Sequence, residues 1–134
     1  MHESNIEARI SEFYEAWNRG DREHLMQAIA SNAVDHNAET QTTGFETVFH
    51  ALETIHAAFP DLHYTLHELA IDSRRQLAVV NVMCQGTFAA PYHDMAPTHR
   101  QVAWREMRMT RWHEGRVVEH WTVSELVQAL VTQR

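Results

Sequence analysis

Three short stretches of this 134-residue chain carry side chains able to move or hold a proton: Asp35-His36-Asn37, the pair Glu106 and Arg108, and His120 two positions before Thr122. Histidine, with an ordinary pKa of about 6.5, is the side chain suited to proton transfer near neutrality. His120 is therefore expected to serve as a general acid or base, and Arg108 to bind an enolate, carboxylate or other developing oxyanion. Glu106 has two readings. It is a candidate for the chemistry, but two apart on one strand face Glu106 and Arg108 also form an ion pair that satisfies both groups and performs no reaction, which is the ordinary reading. Such pairing lowers the carboxyl pKa and makes Glu106 a poor proton donor near pH 7. Asp35, His36 and Asn37 either orient a substrate, serve as an acid–base pair or simply make a turn.

The 11 histidines raise the question of metal, and their spacing answers against it. There is no HExxH or CxxC motif. His63 and His67 are four apart on an expected strand, roughly 13 Å at the usual rise. His50 and His56, six apart on an expected helix, are poorly aligned. Neither a metal nor a cofactor is expected. Without a Gly-rich phosphate loop or a nucleophile elbow, nucleotide and serine-hydrolase chemistry drop out. With 11 Lys+Arg against 18 Asp+Glu, a formal charge of -7 leaves no basic face for nucleic acid or an anionic membrane. No stretch approaches the roughly 18 apolar residues of a membrane span, and the N-terminus is polar and mixed in charge. The single cysteine, Cys84, sits in an apolar run and reads as inert core in a reducing, cytoplasmic setting.

The positioning elements follow from periodicity. Ile6, Ile10, Phe13, Tyr14 and Trp17 make the apolar stripe of a first helix, opened by a Ser4/Glu7 capping box and stopped at Gly20. Asp21 caps a short second helix with Leu25, Met26 and Ile29, and residues 34–37 read as a brief strand entering a polar loop. A Thr43/Glu46 capping box opens a third helix carrying Val48, Leu52, Ile55 and Phe59, ended by Pro60. Strands are expected over residues 62–71, 77–88, 102–112 and 116–123, with a loop over 91–97 and a closing helix bearing Leu126, Val127, Leu130 and Val131. With only 4 Gly and 3 Pro, no repeat and no charge block, nothing marks a linker, so residues 1–134 form one domain. The expected class is α+β: a curved antiparallel sheet with the helices collected on one face, enclosing a pocket.

The chain resembles the SnoaL-like polyketide cyclases, often called ester cyclases, of the nuclear-transport-factor-two-like superfamily. The resemblance runs through Tyr14-Glu15-Ala16-Trp17-Asn18-Arg19-Gly20-Asp21, Val34-Asp35-His36-Asn37, Ala58-Phe59-Pro60-Asp61-Leu62, Ala96-Pro97-Thr98 and Glu114-Gly115-Arg116-Val117-Val118-Glu119-His120-Trp121. It implies a cone-shaped sheet with N-terminal helices over its concave face, and a cofactor-free intramolecular aldol condensation using a pocket aspartate with a histidine nearby. Counted from the Glu-Gly turn, the aspartate position falls on Thr122 and the histidine position on Arg108. The implied function is a cyclase, isomerase or dehydratase acting next to a carbonyl. The alternative is a non-catalytic protein that binds a hydrophobic or aromatic metabolite.

The turn at Glu114-Gly115 decides which residues share a face. A three-residue loop with Gly115 in a G1 bulge is preferred, because Glu fits the positive φ of a two-residue type I′ turn poorly. It would pair Arg108 with His120 and gather Trp104, Glu106, Arg108, Thr110, Val118, His120 and Thr122 on one face, which the resemblance implies is the pocket face because the family's active positions fall on it. Tyr14 and Trp17 close the pocket from the first helix, with Asp35, His36 and Asn37 at its rim. The opposite face, with Met107, Met109 and Trp121, would expose an apolar patch, so a homodimer is expected.

Overall fold

The structure, a computed structural model, describes residues 3–36 and 42–132. Helix α1 (Glu3–Arg19) is followed by α2 (Arg22–Ala28), β1 (Ile29–Asp35), β2 (Thr42–Thr43) and α3 (Phe45–Ala58). Then come β3 (His63–Asp72), β4 (Leu77–Thr87), β5 (Gln101–His113), β6 (Arg116–Ser124) and α4 (Leu126–Thr132). The strands form one curved, unclosed sheet in the order β2-β1-β6-β5-β4-β3. Its last four strands are the expected antiparallel meander, whereas β1 runs parallel to β6. β1 begins directly where α2 ends, at Ile29, and spans seven residues rather than the expected 34–37.

The stripe on α1 does what its spacing predicts. Ile6, Ile10, Phe13, Tyr14 and Trp17 are all buried, and Phe13 meets Trp112 of β5 edge-on at 6.4 Å. Each large apolar side chain removed from water this way contributes about 1.5–3 kcal/mol. Both expected capping boxes fail. Residue 4 lies inside α1, which already begins at Glu3, and α3 takes Gly44 at φ 103° as its N-cap, with no side-chain bond. Asp21 caps α2 as expected, its carboxylate accepting from the His24 amide at 3.1 Å.

The β5–β6 hairpin corrects the expected register. Glu114 and Gly115 both adopt positive φ, 51° and 79°, and His113 pairs directly with Arg116, so the turn has two residues. Arg9 Nη1 donates to the Gly115 carbonyl at 3.3 Å and braces the left-handed turn. One step up the ladder Trp112 pairs with Val117 but Arg111 with Glu119, so Val118 is the extra residue of a β-bulge. The bulge shifts the ladder by one and sets Thr110 opposite His120 and Arg108 opposite Thr122, in place of the expected pairing of Arg108 with His120. Val117 is therefore buried, while Val118, expected on the pocket face, is the half-buried bulge residue.

Candidate functional site

The inward residues of β5 and β6, the end of β1 and α1, α3 and α4 enclose a cavity of about 250 Å³. Glu106, Arg108, His120, Thr122 and Ser124 form its polar wall, with Asp35 beside them. Trp17, Val48, Ile55, Tyr64, Tyr92 and Leu126 supply the apolar remainder.

Glu106 is saturated with donors. Its Oε2 accepts from Trp104 Nε1 at 2.9 Å and Ser124 Oγ at 2.8 Å, and its Oε1 accepts from Arg108 Nε at 3.0 Å and Nη2 at 2.9 Å. Burial works against its charge, but the Arg108 guanidinium and these hydrogen bonds win and hold its pKa below the usual carboxylate value. Arg108 is likewise buried, and Glu106 overrides the desolvation so that its pKa is raised. Its guanidinium carbon lies 4.8 Å from the centre of the Trp17 ring and 5.2 Å from that of Tyr64. These cation–π contacts fix the group in a desolvated setting where they are strongest.

His120 stands between two partners from different strands. Its Nε2 is 3.2 Å from Thr122 Oγ1, and its Nδ1 is 3.9 Å from Asp35 Oδ1. Burial, followed by the positive charge of Arg108, pushes its pKa down to about 3. This corrects the near-neutral value expected from the sequence: the imidazole is neutral at physiological pH because it is enclosed beside a cation.

Among the described residues, four buried side-chain polar atoms have no hydrogen-bond partner: Trp17 Nε1, Tyr64 OH, Arg108 Nη1 and His120 Nδ1. All four belong to residues lining this one cavity. Buried polar groups are normally satisfied, and exceptions concentrate where a protein binds or reacts.

The remaining expected site residues lie elsewhere. Tyr14 is buried beneath the site and does not line the cavity; burial pushes its hydroxyl up to about 12. Trp104 acts only through its bond to Glu106. His36 projects from the outer face of the sheet, because side chains alternate and its neighbour Asp35 points inward. Asn37 lies outside the described residues. Cys84 is buried and its thiol is pushed up by desolvation, as befits a core thiol. The sequence reading missed Tyr64 and Ser124. Ser124 continues the period-two series from His120 and Thr122 and could have been found that way; Tyr64 carried only the signature of a core strand residue. No three His, Cys, Asp or Glu residues are grouped to hold a metal ion among the described residues. Nor is any described helix long and apolar enough to cross a membrane.

The family model for SnoaL-like polyketide cyclases matches residues 8–133. The chain belongs to the SnoaL-like polyketide cyclase family. Among solved SnoaL-like structures it is similar to IdmH of Streptomyces antibioticus, provisionally assigned as a polyketide cyclase. The two are 28% identical with a TM-score of 0.81, over 98% of this chain and 99% of that one. AclR of Streptomyces galilaeus, provisionally assigned as a hydroxylase, shares the fold with a TM-score of 0.86 at 22% identity, covering 98% of this chain and 96% of that one. A SnoaL-like polyketide cyclase from Agrobacterium tumefaciens superimposes with a TM-score of 0.80 at 16% identity, over 96% of each chain. No protein of curated function matches the sequence significantly.

Proposed function

We propose that this SnoaL-like protein is a cofactor-independent enzyme that moves a proton next to a carbonyl group of a small, largely apolar, polyketide-like molecule. Cyclisation, isomerisation and dehydration all begin with that step. The observation that carries the proposal is the convergence of four unpartnered buried polar atoms on one cavity. Family membership supports the reaction class, and the likeness to IdmH supports the substrate class.

Asp35 and His120 are the acid–base pair in this reading. The resemblance implied an aspartate and a histidine at positions occupied here by Thr122 and Arg108, which are cross-strand partners. An aspartate and a histidine are nevertheless adjacent, one ladder over, as the parallel partners Asp35 and His120. His120 Nδ1 takes a proton from the carbon beside the carbonyl, the C–H electrons form a C=C bond, and the carbonyl oxygen becomes an oxyanion facing Arg108. That oxyanion offsets the guanidinium charge that otherwise depresses His120, so basicity rises as the reaction proceeds, and Asp35 stabilises the imidazolium. Glu106 holds Arg108 in place and stays ionised.

We also assign this protein a cytoplasmic location and a homodimeric state. The outer face of the sheet supports the second: Met107 and Val123 are 47% and 72% exposed there, although Trp121 is covered by His36.

The test is exchange of the acidic protons of β-keto esters for deuterium, followed by NMR. Exchange is expected with the wild type and to fall about 100-fold in His120→Gln. Full exchange in folded His120→Gln would overturn the acid–base assignment. Aromatic ligands that quench Trp17 fluorescence with no exchange at all would establish a binding protein instead.

A further inference from the structure

The end of β1 that carries Asp35 is held by two short ladders, with Val34–Thr43 and Asp35–Thr42 pairing to β2 on one side and a broken pairing to β6 on the other. Ile29 pairs with Val117 of β6, but the register then breaks, and pairing resumes only at Val34 with Glu119 and Asp35 with His120. One further backbone bond follows, from the His36 amide to the His120 carbonyl, at 2.9 Å. A pairing this short is weak on its own.

The outer face adds side-chain contacts to these short backbone pairings. The His36 ring lies flat on the Trp121 indole, with centroids 4.5 Å apart and planes 8° apart. His36 Nε2 is 2.9 Å from Glu119 Oε2. The other oxygen of Glu119 accepts from Arg111 Nε at 2.8 Å, and Arg111 Nη1 donates to the Arg75 carbonyl at 2.9 Å. A chain of three side chains, His36, Glu119 and Arg111, thus ties the end of β1 across β6 and β5 to the β3–β4 turn, on the side of the sheet opposite the cavity. Since neighbouring strand residues point to opposite faces, fixing His36 outside fixes Asp35 inside.

We infer that His36 is a positioning residue: its stacking on Trp121 and its bond to Glu119 set the distance between Asp35 and His120 from the far side of the sheet. This rests on the reading of Asp35 and His120 as the acid–base pair. His36 touches no substrate. Its effect reaches the cavity through the backbone of residues 35 and 36.

Proton–nitrogen correlation spectra of the imidazole groups, with amide exchange rates on the full-length protein, test the inference without a substrate. His36→Ala is expected to move the ring signals of His120, which loses its fixed carboxylate neighbour, and to speed exchange of the amide at position 36 by about tenfold or more. His36→Gln, which restores a donor to Glu119, is expected to bring both back toward wild type. A change that merely lowered stability would leave the His120 ring signals in place. Wild-type signals and exchange in folded His36→Ala overturn the inference. Should that variant fail to fold, His36→Phe keeps the stack, removes only the Glu119 bond, and decides on the same readouts. Exchange of β-keto ester protons lost in Asp35→Asn and His120→Gln, with His120 signals indifferent to position 36, overturns the clamp and leaves the proposed function standing. Shifted His120 signals with no such exchange in the wild type support the clamp and overturn that function.

Discussion

Asp35 and His120 are Cα partners across the parallel β1–β6 pair, and their side chains meet at 3.9 Å on the wall of the cavity. Eighty-five residues of chain separate them, so the pairing is wholly a product of tertiary structure. Because they act on one proton in the proposed reaction, their contributions should not add. Asp35→Asn and His120→Gln are each expected to lower exchange of a carbonyl substrate's acidic protons about 100-fold, and the double variant little further. Multiplicative losses in the double variant would show two independent roles.

The depressed pKa of His120 gives a second expectation, for pH. With a folded value of about 3 against an ordinary 6.5, the unfolded chain binds a proton that the folded chain rejects. Stability from this group is complete above about pH 6.5 and is lost as pH falls from there toward 3, at up to about 1.4 kcal/mol per pH unit. Glu106, whose pKa is also lowered, adds a loss in the same direction below the ordinary carboxylate value. Denaturant titrations between pH 7 and 4 should show wild-type stability falling from about pH 6. In His120→Gln the fall should be shallower above the carboxylate range, with His56, whose pKa is also lowered by burial, still contributing to it.

For the reaction itself, the same shift removes the usual histidine signature. The rate of proton exchange, divided by substrate concentration at low saturation, should show no inflection near pH 6.5. A bell with its acid limb there would mean that His120 titrates normally and that burial and Arg108 do not govern it.

Glu106 and Arg108 form a buried pair whose halves protect each other. Arg108→Met leaves an ionised carboxylate in the interior with only Trp104 and Ser124 to hold it, and about 3–5 kcal/mol of stability should be lost. The double variant Glu106→Leu with Arg108→Met should recover much of that loss in thermal unfolding while remaining inactive. A double variant no more stable than Arg108→Met would mean that Glu106 is stabilised independently of Arg108.

Sedimentation tests the proposed homodimer. Met107→Lys places a charge in the exposed outer face of β5 and is expected to convert a dimer at micromolar concentration to monomer. A wild type that sediments as a monomer would remove the proposal.

Much of this architecture was legible because it is local. The spacing of Ile6, Ile10, Phe13 and Trp17 specifies one helix face, and the alternation through Trp104, Glu106, Arg108 and Thr110 specifies one strand face. What was illegible depends on contacts between distant segments. Nothing near Asp35 shows that it will lie parallel to His120, and nothing near His120 shows that Arg108 and enclosure will strip its proton. The turn was misjudged for a different reason. Glu114 accepts a left-handed backbone that its type disfavours, a cost of about 1–2 kcal/mol, where Arg9 braces the adjoining carbonyl.

The bulge at Val118 gives the β6 strand a residue of length that carries no phase. A three-residue turn with a regular strand and a two-residue turn with one bulge place His120 and Thr122 on the same side, which is why both descriptions of the hairpin keep these two residues inward and differ only at Val117 and Val118. Excising Val118 would leave Val117, His120, Thr122 and Ser124 all still facing inward. This hairpin can therefore lose that one residue between its tip and the cavity without rotating a reactive group. Among proteins of this shape, distance counted from the turn is an unsafe guide to which residue inherits which task, and orientation across the ladder is the safer one.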